Sequence, residues 1–214
     1  MKIGVLGTGD VGRAIGNGFL DLGHEVLMGA REPNNEKAAA WAAAAGKNAR
    51  TGTFADAARF GEVLVLATLG LANESAIRMA GPESFQGKVL IDTTNPLDFS
   101  AGFPPRLAIS GNDSGGEQVQ RLLPEARVVK AFNTVGNAHM YRPEFPCGPP
   151  DMFFCGNDEG AKGTVRQILE WFGWHPDDVG GIESSRYLEA MCMVWVLHGA
   201  RANDWNHAFK LLRR

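Results

Sequence analysis

The chain has 214 residues, of which 44% are hydrophobic and 21% are charged, as is typical of a globular protein. Its net charge of -3 gives no reason to expect a nucleic-acid partner. No stretch approaches the ~20 consecutive apolar residues that cross a bilayer, so we expect no membrane partner. The three cysteines are widely spaced and odd in number, which favours a reducing, cytoplasmic location without a disulfide framework or a metal site.

The first predicted elements are a strand, a glycine-rich turn and a helix. Residues 3–6 are a short apolar run typical of a buried parallel strand, and the helical pattern that follows stops at Gly23. Between them, Gly7 permits a tight turn, Gly9 lets a pyrophosphate approach the backbone, and Gly12 lets the helix lie close to the strand. The N–H groups and dipole of a helix N-terminus favour phosphate. The predicted cofactor turn is Gly7, Thr8, Gly9, Asp10, Val11 and Gly12.

The second strand indicates which dinucleotide the chain binds. Residues 25–28 form this strand, and Ala30 and Arg31 follow it closely. An NAD site usually has an acidic residue here for the ribose 2′-hydroxyl, whereas a nearby Arg accommodates a 2′-phosphate. The guanidinium of Arg31 suits phosphate and Lys37 is near enough to assist, so the pattern favours NADP(H). Alternatively, Arg31 only ends a strand in solvent and Glu32 binds the ribose of NAD.

Helices and strands then alternate at the spacing of βα units. Helices are predicted at residues 36–45, 54–60, 74–79 and 161–172, and from about Ser184. A further helix is predicted after the capping-box signature at residues 114–117. Strands are predicted at residues 63–68, 88–92, 127–131, 152–155 and 176–179, with loops at 99–113 and 142–150. This order predicts an α/β fold with a Rossmann-type doubly wound, mostly parallel sheet. We expect one domain over residues 1–214, with a small C-terminal helical extension at about residues 181–214.

Polar or small residues follow several of the predicted strands. Ligands of doubly wound sheets bind beyond the carboxyl ends of the strands, and these side chains could hydrogen-bond a carboxamide and form a wall for a nicotinamide ring. Alternatively, Asn, Thr and Pro at these positions only turn the chain. Their coincidence at successive strand ends favours a cofactor site that includes Thr68, Leu69, Asn95, Pro96 and Asn133.

No general acid or base stands out at a strand end, and no metalloprotease, nucleophile-elbow or Cys–His motif is present. Direct hydride transfer to a flavin-like acceptor suits this pattern, because the cofactor supplies the chemistry. The candidate catalytic residues are therefore few, namely Asn95, Asn133 and His139. Reduction of a small carbonyl or imine would instead need a proton donor, such as His139 or Tyr187. A non-catalytic NADP(H)-binding sensor is a third alternative.

Several separated motifs together resemble a known family. They are GVLGTGDVGRAIGNGFLDLGHEVLMGAR, SGGEQVQRLLPEARVVKAFNT, FFCGNDEGAKGTVRQIL and SSRYLEAM. The chain resembles the NADP oxidoreductases that work with the deazaflavin coenzyme F-420 (F420), and also the cytosolic reductase domain of the STEAP metalloreductases. The resemblance implies that Ala30 and Arg31 hold the 2′-phosphate and that residues 7–11 hold the pyrophosphate. It also implies a small-molecule hydride acceptor (F420, FMN or FAD) and a homodimer to which the C-terminal helical part contributes.

One position separates the two branches of this resemblance. The deazaflavin enzymes have His where this chain has Asn133, and the string KAFNT at residues 130–134 is more similar to the metalloreductases. The metalloreductases also carry a membrane haem domain that this sequence does not contain. The resemblance therefore predicts hydride transfer between NADP(H) and a flavin or deazaflavin, with a ferric or flavin reductase as the alternative.

Overall fold

The computed structural model describes the whole chain, residues 1–214. Its ten strands are β1 (Lys2–Leu6), β2 (Glu25–Ala30), β3 (Ala49–Thr53), β4 (Val63–Leu66), β5 (Val89–Asp92), β6 (Leu97–Asp98), β7 (Arg106–Leu107), β8 (Arg127–Lys130), β9 (Asp151–Gly156) and β10 (His175–Asp178). Its seven α-helices are α1 (Asp10–Asp21), α2 (Glu36–Ala45), α3 (Phe54–Phe60), α4 (Asn73–Ala80), α5 (Gly115–Leu122), α6 (Glu159–Trp171) and α7 (Ser185–Ala202).

Eight of the strands form one sheet in the order β10-β9-β8-β5-β4-β1-β2-β3. Neighbouring strands are parallel except β8 and β9, which run antiparallel. From β3 to β8 the order is that of a doubly wound dinucleotide-binding sheet, in which the winding reverses between β1 and β4. The remaining strands, β6 and β7, pair as a separate antiparallel ribbon. The predicted Rossmann-type α/β class is thus confirmed.

Burial on both faces explains the apolar sequences of the central strands. Every residue of β4 and β5 is buried, as are four of the five residues of β1. Such strands read as continuous apolar runs because helices cover both faces of a parallel sheet. One core contains Phe19 of α1 and Phe172, whose rings meet edge to face at 4.9 Å. The other core contains Phe85 and Leu64, so the strand ends stand on a rigid, two-sided scaffold.

Side-chain caps fix the starts of four helices, among them α6, where Asp158 accepts from the N–H of Ala161. Asn35 accepts a hydrogen bond from the N–H of Ala38 at the start of α2. Thr53 and Asp56 form a capping box at the start of α3. Of the predicted capping box of α5, one half is present: Ser114 Oγ accepts from the N–H of Glu117, whereas the Glu117 carboxylate accepts from the Ser114 hydroxyl and not from the Ser114 N–H. These caps satisfy N–H groups that the first turn of a helix leaves unpaired.

The strands differ from the sequence prediction in two places. The pattern predicts no strand between α2 and α3, yet β3 forms the edge of the sheet there. Its sequence is polar and is interrupted by Gly52, so it lacks the apolar alternation by which strands are recognised. The loop at residues 99–113 also contributes a strand, β7, which is only two residues long.

The C-terminal extension is helical only as far as Ala202. Asn203 adopts the left-handed conformation with φ 50°, which ends α7, and residues 203–214 contain no regular secondary structure. This segment lies against β9, where the carbonyl of Phe209 accepts from the N–H of Asp151 at 3.0 Å. The predicted helical extension at about 181–214 is therefore too long by the last twelve residues.

The end of the chain is held by a small cluster of charges. The side-chain atoms that could bind a metal ion in Asp151, His175 and Asp177 lie within 4.8 Å of one another. The Arg213 guanidinium, however, pairs with both carboxylates. This pairing gives the acidic groups a cation from the chain itself.

None of the helices combines the length and the hydropathy needed to cross a bilayer.

Candidate cofactor site

A cleft lies at the carboxyl ends of the strands, where the sheet reverses its winding between β1 and β4. It holds about 730 Å³ and is lined by 23 residues. Ten of the fourteen residues predicted to bind the cofactor line it, namely Gly7, Thr8, Gly9, Asp10, Val11, Ala30, Arg31, Thr68, Leu69 and Asn95. Gly12, Lys37, Pro96 and Asn133 are not part of this lining. The sequence prediction did not include several others that are, among them Asn35, Phe54, Leu71, Thr93, Phe99 and Asn137.

The three glycines of the turn are required for different reasons. A Cβ on Gly7, whose φ is +132°, would lie 2.2 Å from the carbonyl oxygen of Ala67, and one on Gly12 would lie 2.4 Å from that of Gly7. Both contacts are far too short, so these two glycines are needed by the fold itself. A Cβ on Gly9 would meet nothing within 4 Å. Gly9 therefore leaves room beside the backbone, as a dinucleotide pyrophosphate would need.

The N-terminus of α1 is open towards this space. Gly9 is its N-cap residue, and no side chain caps the helix, unlike α2, α3 and α5. The first N–H groups of α1 are thus available to a ligand, and the positive end of the helix dipole favours an anion. The residues present fit the pyrophosphate of a dinucleotide.

The structure separates the two cations predicted for the 2′-phosphate. Arg31 directly follows β2, is exposed and lines the cleft. Asn35 lines the cleft beside it and also caps α2. Lys37 instead lines a separate surface depression with Arg13 and Trp41. Arg31 is accordingly the one Lys or Arg side chain of the cleft.

Asn133 is buried beneath the cleft and is not part of its wall. Only 3% of the residue is exposed, and its Nδ2 donates to the carbonyl of Leu188 in α7 and to Asn95 Oδ1, both at 3.0 Å. Phe132, immediately before it, has φ +62°, a conformation uncommon for a bulky residue. Both donated bonds are internal, its Oδ1 is buried without a hydrogen-bond partner, and the side chain is linked to the cleft wall through Asn95.

The two proton donors considered for a carbonyl or imine reductase both lie outside the cleft. The Nε2 of His139 lies 3.2 Å from Asn206 Oδ1, and its ring packs on Phe145 with centroids 5.0 Å apart. Tyr187 stands on the outer side of α7 and is 71% exposed. The ionisable carboxyl and guanidinium groups of the cleft are those of Asp10 and Arg31, both on the side where the dinucleotide phosphates are expected.

A buried ion triad lies below the cleft, and the sequence prediction missed it. Lys130 Nζ, wholly buried, lies 3.0 Å from Asp92 Oδ2 and 2.7 Å from Glu189 Oε1. Burial opposes the charged form of Lys130, but the two carboxylates outweigh it and raise the pKa of Lys130 above its ordinary value. Glu189 also accepts from the N–H groups of Gly115 and Gly116, each at 3.0 Å. The triad therefore joins β5, β8, α5 and α7.

A chain of hydrogen bonds runs from this triad to the cleft. Asp92 Oδ1 accepts from the N–H of Thr94 at 3.0 Å and from its hydroxyl at 2.7 Å. Asn73 Nδ2 donates to Thr94 Oγ1 at 2.7 Å, and Thr68 Oγ1 donates to Asn73 Oδ1 at 2.6 Å. The sequence signal for this network was two charged residues, Asp92 and Lys130, that end apolar strands.

These features define a class of protein: a Rossmann-type dinucleotide-binding protein with an open phosphate turn and a basic residue after the second strand. Residues 2–96 match the family described as NADP oxidoreductase, coenzyme F420-dependent. The F420-dependent NADP reductase of Methanocaldococcus jannaschii is 32% identical over 202 residues, covering 89% of this chain and 89% of that protein. The chain belongs to the family of F420-dependent NADP oxidoreductases, and it is an oxidoreductase of the NADP-dependent class.

Two further comparisons agree with this assignment. A crystal structure of a candidate F420-dependent NADP reductase from Arthrobacter sp. FB24 superposes with a TM-score of 0.95, at 40% identity and over 100% of both chains. The metalloreductase STEAP3 of Rattus norvegicus is 27% identical over 89% of this chain, and the chain spans only 36% of that protein. The predicted resemblance to both groups is thus confirmed.

Proposed function

We propose that this protein transfers hydride between NADP(H) and a planar deazaflavin or flavin acceptor in the cleft. The main support for this proposal is the charge distribution of the cleft lining. Its only carboxyl and guanidinium groups, those of Asp10 and Arg31, lie on the side where the dinucleotide phosphates are expected. The opposite side offers hydroxyl, amide and apolar side chains. Hydride transfer between two redox rings needs alignment and no protein acid or base, because the rings supply the chemistry.

The residues of the cleft suggest how NADP(H) would be held. Arg31 would bind the 2′-phosphate through its guanidinium, and the N-terminus of α1 at Gly9 would receive the pyrophosphate. The nicotinamide half would then extend across the switch point towards Thr94 and Asn95 beyond β5. When bound, the cofactor supplies the hydride and its two electrons, and the acceptor takes them together with one proton from solvent.

The rim of the cleft supports a planar acceptor. Leu69, Leu71 and Phe99 line the cleft, yet they are 78%, 55% and 53% exposed. Large apolar side chains are seldom left so exposed together unless a ligand or partner covers them. A flat, mainly apolar ring system would cover them while lying against the nicotinamide. A ferric or flavin reductase remains the second candidate, favoured by Asn133 and by the similarity to STEAP3.

The proposal is tested by measuring NADPH oxidation with a panel of acceptors. We expect turnover with coenzyme F420, FMN or FAD, faster than with a ferric chelate, and faster with NADPH than with NADH. The Gly9→Val variant should show none, which controls for traces of other reductases. If the protein binds NADPH and no acceptor oxidises it, the proposal is wrong and the sensor alternative holds.

We also propose that the protein forms a homodimer through α7. Tyr187, Val194 and Leu197 are 71%, 57% and 49% exposed, and their spacing places them along one side of the helix. The same apolar stripe on a second copy is a self-complementary partner. Sedimentation velocity should show a dimer that Val194→Glu dissociates. Leu212→Glu, at an 86% exposed leucine away from α7, should leave it intact, and a monomeric wild-type protein would refute the proposal.

A further inference from the structure

In each side-chain hydrogen bond between the cleft and the buried ion triad, the group nearer the cleft donates to the group nearer the triad. Asp92 is wholly buried, and its carboxylate is paired with Lys130 through Oδ2. Its other oxygen, Oδ1, lies 2.7 Å from Thr94 Oγ1. Two oxygen atoms at this distance need a proton between them, and a carboxylate in an ion pair has none to give. The proton must therefore be that of the Thr94 hydroxyl.

This constraint fixes the next two bonds as well. Since the hydroxyl proton of Thr94 is committed to Asp92, Thr94 Oγ1 can only accept from Asn73, which lies 2.7 Å away. Asn73 must then present its Nδ2 to Thr94 and its Oδ1 to Thr68. Asn73 Oδ1 is an acceptor and lies 2.6 Å from Thr68 Oγ1. The proton of the Thr68 hydroxyl consequently points inward, away from the cleft.

Thr68 is the most exposed member of this chain of hydrogen bonds at the ligand space. It is half-buried and lines the cleft, whereas Asn73 and Thr94 are only 5% and 4% exposed. With its proton turned inward, its oxygen has only lone pairs left for a ligand. A phosphate oxygen, which also has only lone pairs, would be repelled there.

We infer that Thr68 is an acceptor-only specificity residue, which receives a hydrogen bond from a donor group on the nicotinamide half of the dinucleotide. This inference rests on the proposed function, because it assumes that NADP(H) occupies the cleft. Two groups of that half have the required chemistry, the ribose hydroxyls and the carboxamide N–H₂. The buried Lys130–Asp92 pair acts here as a positioning device, since it sets the direction of every bond between itself and Thr68.

Calorimetric binding to Thr68→Val and Thr68→Ser tests the recognition. Thr68→Val keeps the shape of the side chain and removes the acceptor, so NADPH affinity should fall roughly threefold to tenfold, the range for one neutral hydrogen bond. Thr68→Ser keeps the hydroxyl and should bind like the wild type. Adenosine 2′,5′-bisphosphate lacks the nicotinamide half, and its affinity should be the same for all three proteins.

A third ligand, the 2′-phosphate of ADP-ribose, distinguishes the two donor groups. It has the second ribose and no nicotinamide, so an equal loss with Thr68→Val assigns the donor to a ribose hydroxyl. A loss confined to NADPH assigns it to the carboxamide, and both results support the inference. Unchanged NADPH affinity in Thr68→Val would overturn it, whereas failure of the wild-type protein to bind NADPH would instead refute the proposed function.

Neutron diffraction from deuterated crystals of the unmodified protein tests the bond direction without any substitution. We expect deuterium between Thr68 Oγ1 and Asn73 Oδ1, and the amide nitrogen of Asn73 facing Thr94. A Thr68 deuteron that points into the cleft, or the opposite amide orientation, would overturn the inference.

Discussion

The side chains of Asn95 and Asn133 bind each other's residues in both directions. Asn95 Nδ2 donates to the backbone carbonyl of Asn133 at 2.8 Å, and Asn133 Nδ2 donates to Asn95 Oδ1 at 3.0 Å. Asn133 also holds the carbonyl of Leu188 in α7. The pair therefore links the wall of the cleft to the C-terminal helix and fixes the orientation of the Asn95 side chain.

We expect Asn133→Ala to act on turnover more than on NADPH binding. The change removes the two hydrogen bonds that Asn133 donates, to the carbonyl of Leu188 and to Asn95, so stability should fall by about 1–3 kcal/mol. Turnover should fall roughly tenfold, which corresponds to ~1.4 kcal/mol in the barrier. Urea unfolding, steady-state kinetics and calorimetry measure the three quantities.

A distant asparagine separates this effect from simple destabilisation. Asn157 Oδ1 accepts from the N–H of Ile182 at 2.9 Å and is not part of the cleft lining. Asn157→Ala should lower stability without lowering turnover.

Asn133→His introduces the residue expected in deazaflavin enzymes and should shift preference towards a deazaflavin. Unchanged rates with every acceptor in both Asn133 variants would show that Asn133 has only a structural role.

We propose that Arg31, the one Lys or Arg side chain of the cleft, sets the choice between NADPH and NADH. Arg31→Ala should weaken NADPH binding by roughly 1.5–3 kcal/mol, the range for hydrogen bonds to charged groups, and should barely change NADH binding. Arg201 is exposed near the end of α7, so Arg201→Ala makes the same change in charge away from the cleft and should alter neither affinity. Equal losses for the two dinucleotides in calorimetry would exclude Arg31 as the 2′-phosphate residue.

Gly9→Val should abolish NADPH binding and leave the fold intact. Gly9 has φ -75° and ψ -179°, a conformation open to valine, and its Cβ would enter free space. A Cβ on Gly163 would also meet nothing within 4 Å, but this residue lies on α6, so Gly163→Val is the matched control and should bind normally. Circular dichroism and NADPH titration check both variants. Unchanged affinity in Gly9→Val would place the pyrophosphate elsewhere.

The sequence was sufficient for the parts of the molecule where local chemistry has one structural solution. The turn at Gly7 to Gly12, the apolar central strands and the cap at Ser114 each have a signature within a few residues. The position of Asn133 was predictable only in part, because its place at a strand end is local, whereas its partner Leu188 lies 55 residues away.

Long-range pairing explains what the sequence prediction missed. Lys130 meets Glu189 across 59 residues and Asp92 across 38, and no spacing rule joins three such positions. Read singly, Asp92 and Lys130 are charged residues at strand ends, which are more often solvated than buried. β3 escaped prediction for a different reason, since its polar sequence forms a strand only by pairing along the edge of β2.

Acid should loosen the contact between α5 and α7. The hydrogen bonds from Arg186, together with one from Ser114, hold the pKa of Glu117 below its usual 4.5. A carboxyl whose pKa is lower in the folded state stabilises the fold above its unfolded pKa and loses that contribution as the pH falls. From about pH 6 to about pH 3, wild-type stability should therefore fall more steeply than that of Glu117→Gln. Urea unfolding at each pH measures this difference. If the free energy of unfolding changed equally with pH in the two proteins, Glu117 would not be the group responsible.

The most direct test of the account follows a deuterium label from NADPH to the acceptor. NADPH is prepared with deuterium on one or the other face of nicotinamide C4, and each sample is reacted with the protein and a deazaflavin, whose reduced carbon keeps the label. Mass spectrometry should find deuterium in the reduced deazaflavin from one sample only, since the cleft would hold the two rings in a single orientation. Reduced deazaflavin without deuterium from either sample would contradict direct hydride transfer.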